Sequence, residues 1–124
     1  MSVNIKSLSG ADLAYIGDAV WEIIVRERLI TSPEGMGHPG IYALPYVTAT
    51  AQSAALELIL EHLTEEEIAI YKRGRNSVHG NIPKSASHSE YRRATGLESL
   101  MGHLWLTGNF DRARELFDIA FPKE

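Results

Sequence analysis

The 124-residue sequence contains no cysteine, which excludes disulfide bonds and metal sites built on thiolates. Any metal ion must therefore be bound by carboxylates, carbonyls, imidazoles or water. No apolar stretch approaches the roughly 20 residues that cross a bilayer, and residues 1–9 lack the basic start and apolar run of a secretory signal. These absences predict a cytoplasmic protein without membrane contact, and the length predicts one domain spanning 1–124.

Positive charge is scarce in the chain as a whole, whose formal net charge is −4. The segment from Lys72 to Arg93 nevertheless holds six of the 12 basic residues and only one of the 16 acidic residues. A cationic patch on an otherwise acidic body can attract a polyanion locally. The alternative interpretation is a solvated loop whose charges pair with neighbouring acids.

Alternation of polar and apolar residues, the pattern of a β-strand, is absent over any useful length. Helical spacing instead predicts an all-α fold, with helices at about 9–30, from 42 or 45 to 62, 64–72, 88–106 and 109–120. Glycine and proline indicate loops at 31–40 and 74–87. Ser9, Thr64 and Asn109 are the predicted N-caps, with Glu67 completing a capping box at Thr64.

Apolar residues at helical spacing predict which side chains are buried. The expected core of the first helix comprises Leu13, Ile16, Val20, Ile23 and Ile24, and that of the last comprises Phe110, Ala113, Leu116, Phe117 and Ala120. Trp21 and Trp105 also fall within apolar stretches and are expected in the core.

Acidic residues interrupt two of these apolar helices. Asp18 and Glu22 lie four residues apart in the first helix and therefore share one of its faces. Glu98 interrupts the helix at 88–106 in the same way. Small residues surround both positions: Ala14, Gly17 and Ala19 near Asp18, and Thr95 and Gly102 near Glu98. These neighbours leave room for a ligand or for a close approach of another helix.

An ionised carboxylate near a core is costly unless it is paired or binds a cation. Asp18 and Glu98, on separate helices, suggest a shared hard divalent metal such as Mg²⁺, which prefers oxygen ligands. Such an ion can activate a water and neutralise charge on a phosphodiester. The alternative is that either acid faces solvent or pairs with an arginine, the candidates being Arg26, Arg92 and Arg93. The residue pattern alone leaves both interpretations open.

Other catalytic patterns are missing from the sequence. The five histidines show no metal-site spacing, and no nucleophile-elbow motif is present. The basic run 72–76 lacks the glycine-rich approach and the following Ser or Thr of a phosphate-binding loop.

Four segments together resemble the Mini-III branch of the ribonuclease III family. The sequence Leu-Ala-Tyr-Ile-Gly-Asp-Ala-Val-Trp-Glu at 13–22 resembles the family's signature helix, and segments 72–76, 82–84 and 91–102 resemble its remaining blocks in the same order. The resemblance covers roughly 8–116. It implies an all-helical ribonuclease III domain that forms a homodimer and has no separate double-stranded-RNA-binding domain.

The resemblance also implies an activity. Mini-III enzymes are Mg²⁺-dependent endoribonucleases, with Mn²⁺ as a possible substitute, that cleave double-stranded RNA during maturation of the large-subunit (23S) ribosomal RNA precursor. A ribosomal protein is a possible accessory partner. Asp18 matches the family's catalytic aspartate, and Glu98 matches its metal-binding glutamate.

The sequence departs from full-length ribonuclease III at three positions. Ala11, Ala14 and Thr95 stand where that enzyme carries further acids. The resemblance therefore implies one firmly bound Mg²⁺, with a second recruited by RNA phosphates. Glu22 is the nearest spare acid, although packing against a helix or a second subunit explains it equally well.

The basic segment is expected to contact RNA. Duplex RNA is recognised largely by shape and by phosphate and 2′-hydroxyl contacts. The expected contact residues are Arg73, Arg75, Asn76, Lys84 and Arg92, unless one of these arginines holds a catalytic carboxylate in place.

Two other functions compete with a nuclease. A catalytically inactive ribonuclease III-fold module that binds RNA or acts as a scaffold is kept open by Ala14 and Thr95, whereas the presence of Asp18 and Glu98 argues against it. A helical metal phosphohydrolase for small phosphorylated substrates is disfavoured because the His-Asp ligand pairs of such enzymes are missing.

Overall fold

A computed structural model describes residues 4–32, 44–78 and 87–123. The α-helices in these ranges are α1 (Gly10–Thr31), α2 (Leu44–Val47), α3 (Ala49–Ile59), α4 (Glu65–Arg75), α5 (His88–Leu106) and α6 (Phe110–Ala120), with one-turn 3₁₀ helices at Ile5–Ser7 and Leu60–His62. No β-strand occurs in the described ranges, which confirms the predicted all-α fold. Within these same residues, no helix is long and apolar enough to cross a membrane.

Three of the helices begin with a capping box. In each, the hydroxyl of the N-cap residue accepts a hydrogen bond from a backbone N–H three residues later, and the carboxylate of that residue accepts one in return. The pairs are Ser9 with Asp12, Thr64 with Glu67, and Ser87 with Glu90. These bonds satisfy donors that have no partner inside the helix. The predicted starts at Ser9 and Thr64 are thus confirmed.

The prediction of one helix from 42 or 45 to 62 is wrong, because the chain breaks at Thr48. Thr48 is extended, with φ −72° and ψ 156°, and its side chain accepts a hydrogen bond from the Ala51 N–H. It therefore caps a new helix, α3, and separates it from the short α2. Pro45 lies in the first turn of α2, where its missing N–H has no cost.

Gly74 is helical, which corrects the prediction of a loop beginning there. A Cβ at this position would lie 2.1 Å from Ser99 Oγ and 3.2 Å from Gly96 Cα. The glycine thus allows close packing of α4 against α5, and α4 continues to Arg75. Residues 76–78 and 87 of the predicted loop are non-helical, and residues 79–86 lie outside the described residues.

The core lies between α1, α3, α5 and α6 and includes Trp21, as predicted. Two predicted core residues are exposed: Ile23 retains 48% of its surface and Phe110 retains 43%. Ile23 lies at the edge of the apolar stripe of α1, and Phe110 packs on the partly buried Trp105 ring with centroids 4.5 Å apart. Asn109 precedes α6, but its side chain makes no capping bond and instead donates to Thr107 Oγ1.

Helices α1 and α5 pack backbone against backbone. A Cβ on Gly17 would lie 1.6 Å from the Glu98 carbonyl oxygen, and one on Gly102 would lie 2.0 Å from the Leu13 carbonyl oxygen. This register shows that the two helices run antiparallel. Ser99 fixes the same contact, since its hydroxyl donates to the Gly10 carbonyl at 2.7 Å.

Candidate active site

The contact between α1 and α5 brings together the two acids singled out in the sequence. Asp18 is exposed on α1, one residue beyond Gly17, and Glu98 is partly buried on the facing side of α5. Both carboxyl groups line the same cleft, and Asp18 contributes to raising the pKa of Glu98, so the two groups lie close together.

An open cleft of 510 Å³ lies over this pair. Its walls come from α1, α5 and the segment after α4, and its lining consists of Ala11, Ala14, Tyr15, Asp18, Ser77, Val78, Tyr91, Thr95 and Glu98. The three positions where full-length ribonuclease III carries further acids all line this space. Their small or neutral side chains give the cleft room around a single pair of carboxylates.

The electrostatics of the pair are unfavourable in the absence of a cation. Burial, and secondarily the neighbouring Asp18, raise the pKa of Glu98 to about 8, whereas a hydrogen bond from Gln52 acts in the opposite direction. Desolvation penalises the charged form, and a nearby carboxylate adds repulsion.

Two of the arginines considered as alternative partners are engaged elsewhere. Arg26 pairs with Glu22 at 3.1 Å, and Arg93 pairs with Glu57 at 3.0 Å. Arg92 lines a different cleft. The ion pair with Arg26, four residues along the same helix, also accounts for Glu22.

The donor set of the cleft fits a hard divalent ion. Carboxylate oxygens are the ligands that Mg²⁺ prefers, and one or two of them suffice when substrate phosphate and water complete the coordination. Among the described residues, no group of three or more His, Asp or Glu side chains is arranged to hold a metal. A metal ion bound by Asp18 and Glu98 would therefore have few protein ligands.

Three of the five expected RNA-contacting residues lie in one basic groove. Arg75 and Asn76 at the end of α4, and Arg92 on α5, line a 410 Å³ cleft together with Tyr71, His88, Ser89 and Arg93. Arg73 lies apart from this lining, and its guanidinium donates to the Leu8 carbonyl at 2.5 Å. Lys84 lies outside the described residues. None of the hydrogen bonds described for Arg73 or Arg75 goes to a cleft carboxylate.

Gln52 is a site residue that the sequence analysis missed. It lies on α3, is only 4% exposed, and acts to lower the pKa of Glu98. The signal was present, because Gln52 shares a helical face with the buried residues Ala55, Leu56 and Ile59. A polar side chain on such a face requires a partner.

Comparison with known proteins connects this geometry to a family. Residues 11–109 match the family model described as the ribonuclease III domain. The Mini-ribonuclease 3 of Enterococcus faecalis is 43% identical over 123 residues, covering 95% of this chain and 92% of that protein. That of Symbiobacterium thermophilum is 41% identical over 122 residues, covering 94% and 91%. The chain belongs to the Mini-III branch of the ribonuclease III family.

A solved structure agrees with this assignment. The crystal structure of a protein from Fusobacterium nucleatum superposes with a TM-score of 0.83 at 30% sequence identity, and the match covers 95% of each chain. The Mini-III chain described here is therefore an endoribonuclease that acts on double-stranded RNA. Nucleases of the ribonuclease III family generally depend on divalent metal ions.

Proposed function

We propose that Asp18 and Glu98 form the catalytic metal-binding pair of this endoribonuclease and that its substrate is the double-stranded region of precursor 23S ribosomal RNA. The observation that carries the proposal is that Asp18 and Glu98, from two different helices, line the same open cleft. The expected place of action is the bacterial cytoplasm.

The two carboxylates would hold Mg²⁺, or Mn²⁺ in its place, and substrate phosphates would recruit a second ion. A bound Mg²⁺ supplies Lewis-acid stabilisation of the phosphodiester and a coordinated water that ionises more readily. Asp18, exposed to the cleft, would bind the ion from α1, and Glu98 would bind it from α5. The small side chains of Ala11 and Ala14 leave space for the RNA backbone.

Cleavage of a labelled RNA duplex in Mg²⁺ tests these roles. Asp18→Asn and Glu98→Gln remove a negative ligand without changing side-chain size, so both are expected to abolish cleavage while circular dichroism remains helical. Glu61→Gln is the control, because Glu61 is an exposed glutamate on the 3₁₀ helix after α3 and does not line the cleft. Wild-type cleavage rates in both carboxylate variants would show that the assignment is wrong. Duplex binding without products by the wild-type protein would favour the inactive RNA-binding module.

The basic groove is proposed to bind the phosphate backbone of the duplex. Arg75 and Arg92 lie on neighbouring helices and line the same cleft as Asn76. Arg73 and Lys84 are proposed as further contacts beside this groove. Each phosphate contact releases condensed counterions, so the logarithm of the binding constant falls linearly with the logarithm of the salt concentration. Loss of one contact makes this slope shallower by about one unit.

Duplex binding in Ca²⁺ or EDTA at several salt concentrations measures this effect. Arg75→Ala and Arg92→Ala are expected to bind more weakly, each with a shallower salt slope. Arg114→Ala is the control, because the Arg114 guanidinium is held by both oxygens of Glu27 at 3.1 and 3.2 Å. An unchanged slope in the two groove variants contradicts the proposed contacts.

A homodimer is the proposed assembly, and the outer face of α1 is its proposed interface. Tyr15, Ile23 and Ile30 share one side of this helix and retain 82%, 48% and 65% of their surface. These exposed apolar side chains flank the Glu22–Arg26 ion pair, and Tyr15 lines the cleft with Asp18, so a second copy covering this face would set the two active sites side by side.

Sedimentation of Ile23→Glu at micromolar concentration is expected to show a monomer where the wild-type protein is a dimer. Leu58→Glu serves as the control, because Leu58 is equally exposed but lies on α3. A dimeric Ile23→Glu variant argues against this interface.

Cleavage in the presence and absence of ribosomal proteins tests the accessory partner.

A further inference from the structure

The basic groove between α4 and α5 has a tyrosine in its lining to which the proposed phosphate contacts give no role. Of the described residues that line the groove, only Tyr71 is buried, and it retains 4% of its surface. Tyr71 lies on α4, four residues before Arg75. Residues four apart share one face of a helix, so the ring and the guanidinium lie on the same side of α4.

The position of the Tyr71 ring is set by α5. A Cβ at Gly96 would lie 2.6 Å from Tyr71 Cε1 and 2.7 Å from Tyr71 Cδ1, so a larger residue there would displace the ring. The same Cβ would lie 2.8 Å from the Tyr71 carbonyl oxygen, because the backbones of the two helices also approach closely at this point. A ring enclosed in this way has little freedom to move, and it offers a fixed aromatic surface to its neighbour.

Arg75 is held by two contacts, one of which is this ring. Its guanidinium carbon lies 5.7 Å from the centroid of the Tyr71 ring, within the range of a cation–π contact. Its Nε donates a hydrogen bond to Asn76 Oδ1 at 3.2 Å. The second contact uses only one of the five N–H donors of the guanidinium, so an arginine held in this way can still bind an anion.

An aromatic ring and an acid differ as partners for an arginine that binds phosphate. Arg93, in the same groove, pairs with Glu57 at 3.0 Å, and this carboxylate adds a negative charge beside it. The Tyr71 ring attracts a guanidinium through its quadrupole and carries no net charge. It can therefore hold Arg75 without repelling an RNA phosphate. A side chain that is ordered before binding also loses less entropy when it binds.

We infer that Tyr71 is a positioning residue for duplex RNA, whose ring, enclosed by Gly96, holds the Arg75 guanidinium in place to contact a phosphate. This inference rests on the proposed contact between Arg75 and the RNA backbone. Ordering a long side chain at an interface lowers affinity by roughly 3- to 10-fold, and a ring that orders Arg75 in advance avoids this loss.

The test is the affinity of the protein for an RNA duplex in EDTA. Tyr71→Leu removes the ring, and its affinity is expected to fall by about 3- to 10-fold. Tyr71→Phe keeps the ring beside Arg75 and is expected to bind as the wild-type protein does. Should Tyr71→Leu lose its thermal transition, Tyr71→Met, whose flexible side chain fills the space without an aromatic face, carries the same expectation.

A double-mutant cycle separates positioning from general damage to the fold. When Arg75 is already replaced by alanine, the ring has no guanidinium to hold, so adding Tyr71→Leu is expected to leave the affinity unchanged. Trp105→Leu is the matched control, because the Arg114 guanidinium lies at the same 5.7 Å from the Trp105 ring, outside the groove. This control is expected to bind the duplex as the wild-type protein does.

The outcomes distinguish this inference from the proposed function. Wild-type affinity in Tyr71→Leu overturns the positioning role, provided that Arg75→Ala binds more weakly. An equal loss from Tyr71→Leu with and without Arg75 also overturns it, because the ring would then act independently of the guanidinium. A loss in Tyr71→Phe as large as that in Tyr71→Leu has the same meaning. Wild-type affinity in Arg75→Ala instead refutes the proposed phosphate contact itself.

Discussion

Replacing Glu98 by Gln is expected to inactivate the enzyme and, at the same time, to stabilise it when no metal is bound. Burial and Asp18 raise the pKa of Glu98 from 4.5 to about 8. Between these two pH values the unfolded chain has lost a proton that the folded protein retains. The free energy of unfolding therefore falls as pH rises through this window and changes no further above it. Glutamine does not titrate and removes this loss.

The size of the effect follows from the pKa of Glu98. Each unit of difference is worth about 1.4 kcal/mol, so the loss amounts to about 3 kcal/mol at pH 7 and reaches about 5 kcal/mol at pH 8 and above. A chain of this length gains roughly 3 to 5 °C in melting temperature per kcal/mol. Glu98→Gln is therefore expected to melt about 10 °C above the wild-type protein at pH 7 in EDTA.

Thermal melts at pH 4.5, 7 and 8.5, each in EDTA and in excess MgCl₂, measure this prediction. The two proteins should coincide near pH 4.5 and diverge as pH rises. Mg²⁺ should raise the wild-type melting temperature and leave that of Glu98→Gln nearly unchanged, because only the folded wild-type site binds the ion. Glu61→Gln, at an exposed glutamate, controls for loss of a surface charge. A variant that melts at or below the wild-type temperature at pH 8.5 in EDTA would refute the reasoning.

Two further predictions concern the scaffold around the site. Gly17→Ala is expected to destabilise the protein by about 3 kcal/mol or more and to abolish cleavage, because its Cβ would lie 1.6 Å from the Glu98 carbonyl oxygen; denaturant unfolding and duplex cleavage measure both effects. Arg112→Met should cost about 3 kcal/mol near neutral pH, since Arg112 bonds both oxygens of the buried Glu67 and lowers its pKa. This stabilisation is fully present above the ordinary pKa of a glutamate and is lost as pH falls through the lowered pKa of Glu67. The difference in free energy of unfolding between Arg112→Met and the wild-type protein, measured with urea, should therefore become smaller at acid pH.

Local signals in the sequence were sufficient to place most helix starts. Ser9 and Thr64 are read correctly because a capping box involves residues only three positions apart. The break at Thr48 was missed although its cap is equally local, because the surrounding alanines favour a continuous helix. Gly74 was misread for a different reason, since its close contact with Ser99 is tertiary.

The candidate site was accessible to sequence reasoning only in part. Asp18 and Glu98 stood out as acids in apolar helices, but their separation by 80 positions left their meeting to the family resemblance. What joins them physically is the α1–α5 contact, and its determinant, Gly17, appeared in the sequence only as a small neighbour. The basic residues were identified as a run, whereas the fold separates Arg73 from Arg92.

The cleft has few carboxylates, and this scarcity has a consequence for RNA binding. Ala11, Ala14 and Thr95 line the cleft in place of acids, so fewer negative charges oppose the approach of an RNA phosphate. On the proposed function, Asp18 and Glu98 would bind the cation without a third carboxylate, and burial raises the pKa of Glu98 and so favours its protonated form. A third carboxylate would strengthen the metal site but would also repel the RNA phosphates. Thr95→Asp places such a carboxylate in the cleft. This variant is therefore expected to bind Mn²⁺ more tightly and to bind duplex RNA in EDTA more weakly than the wild-type protein. Variants that tighten both would show that charge in the cleft does not limit RNA access.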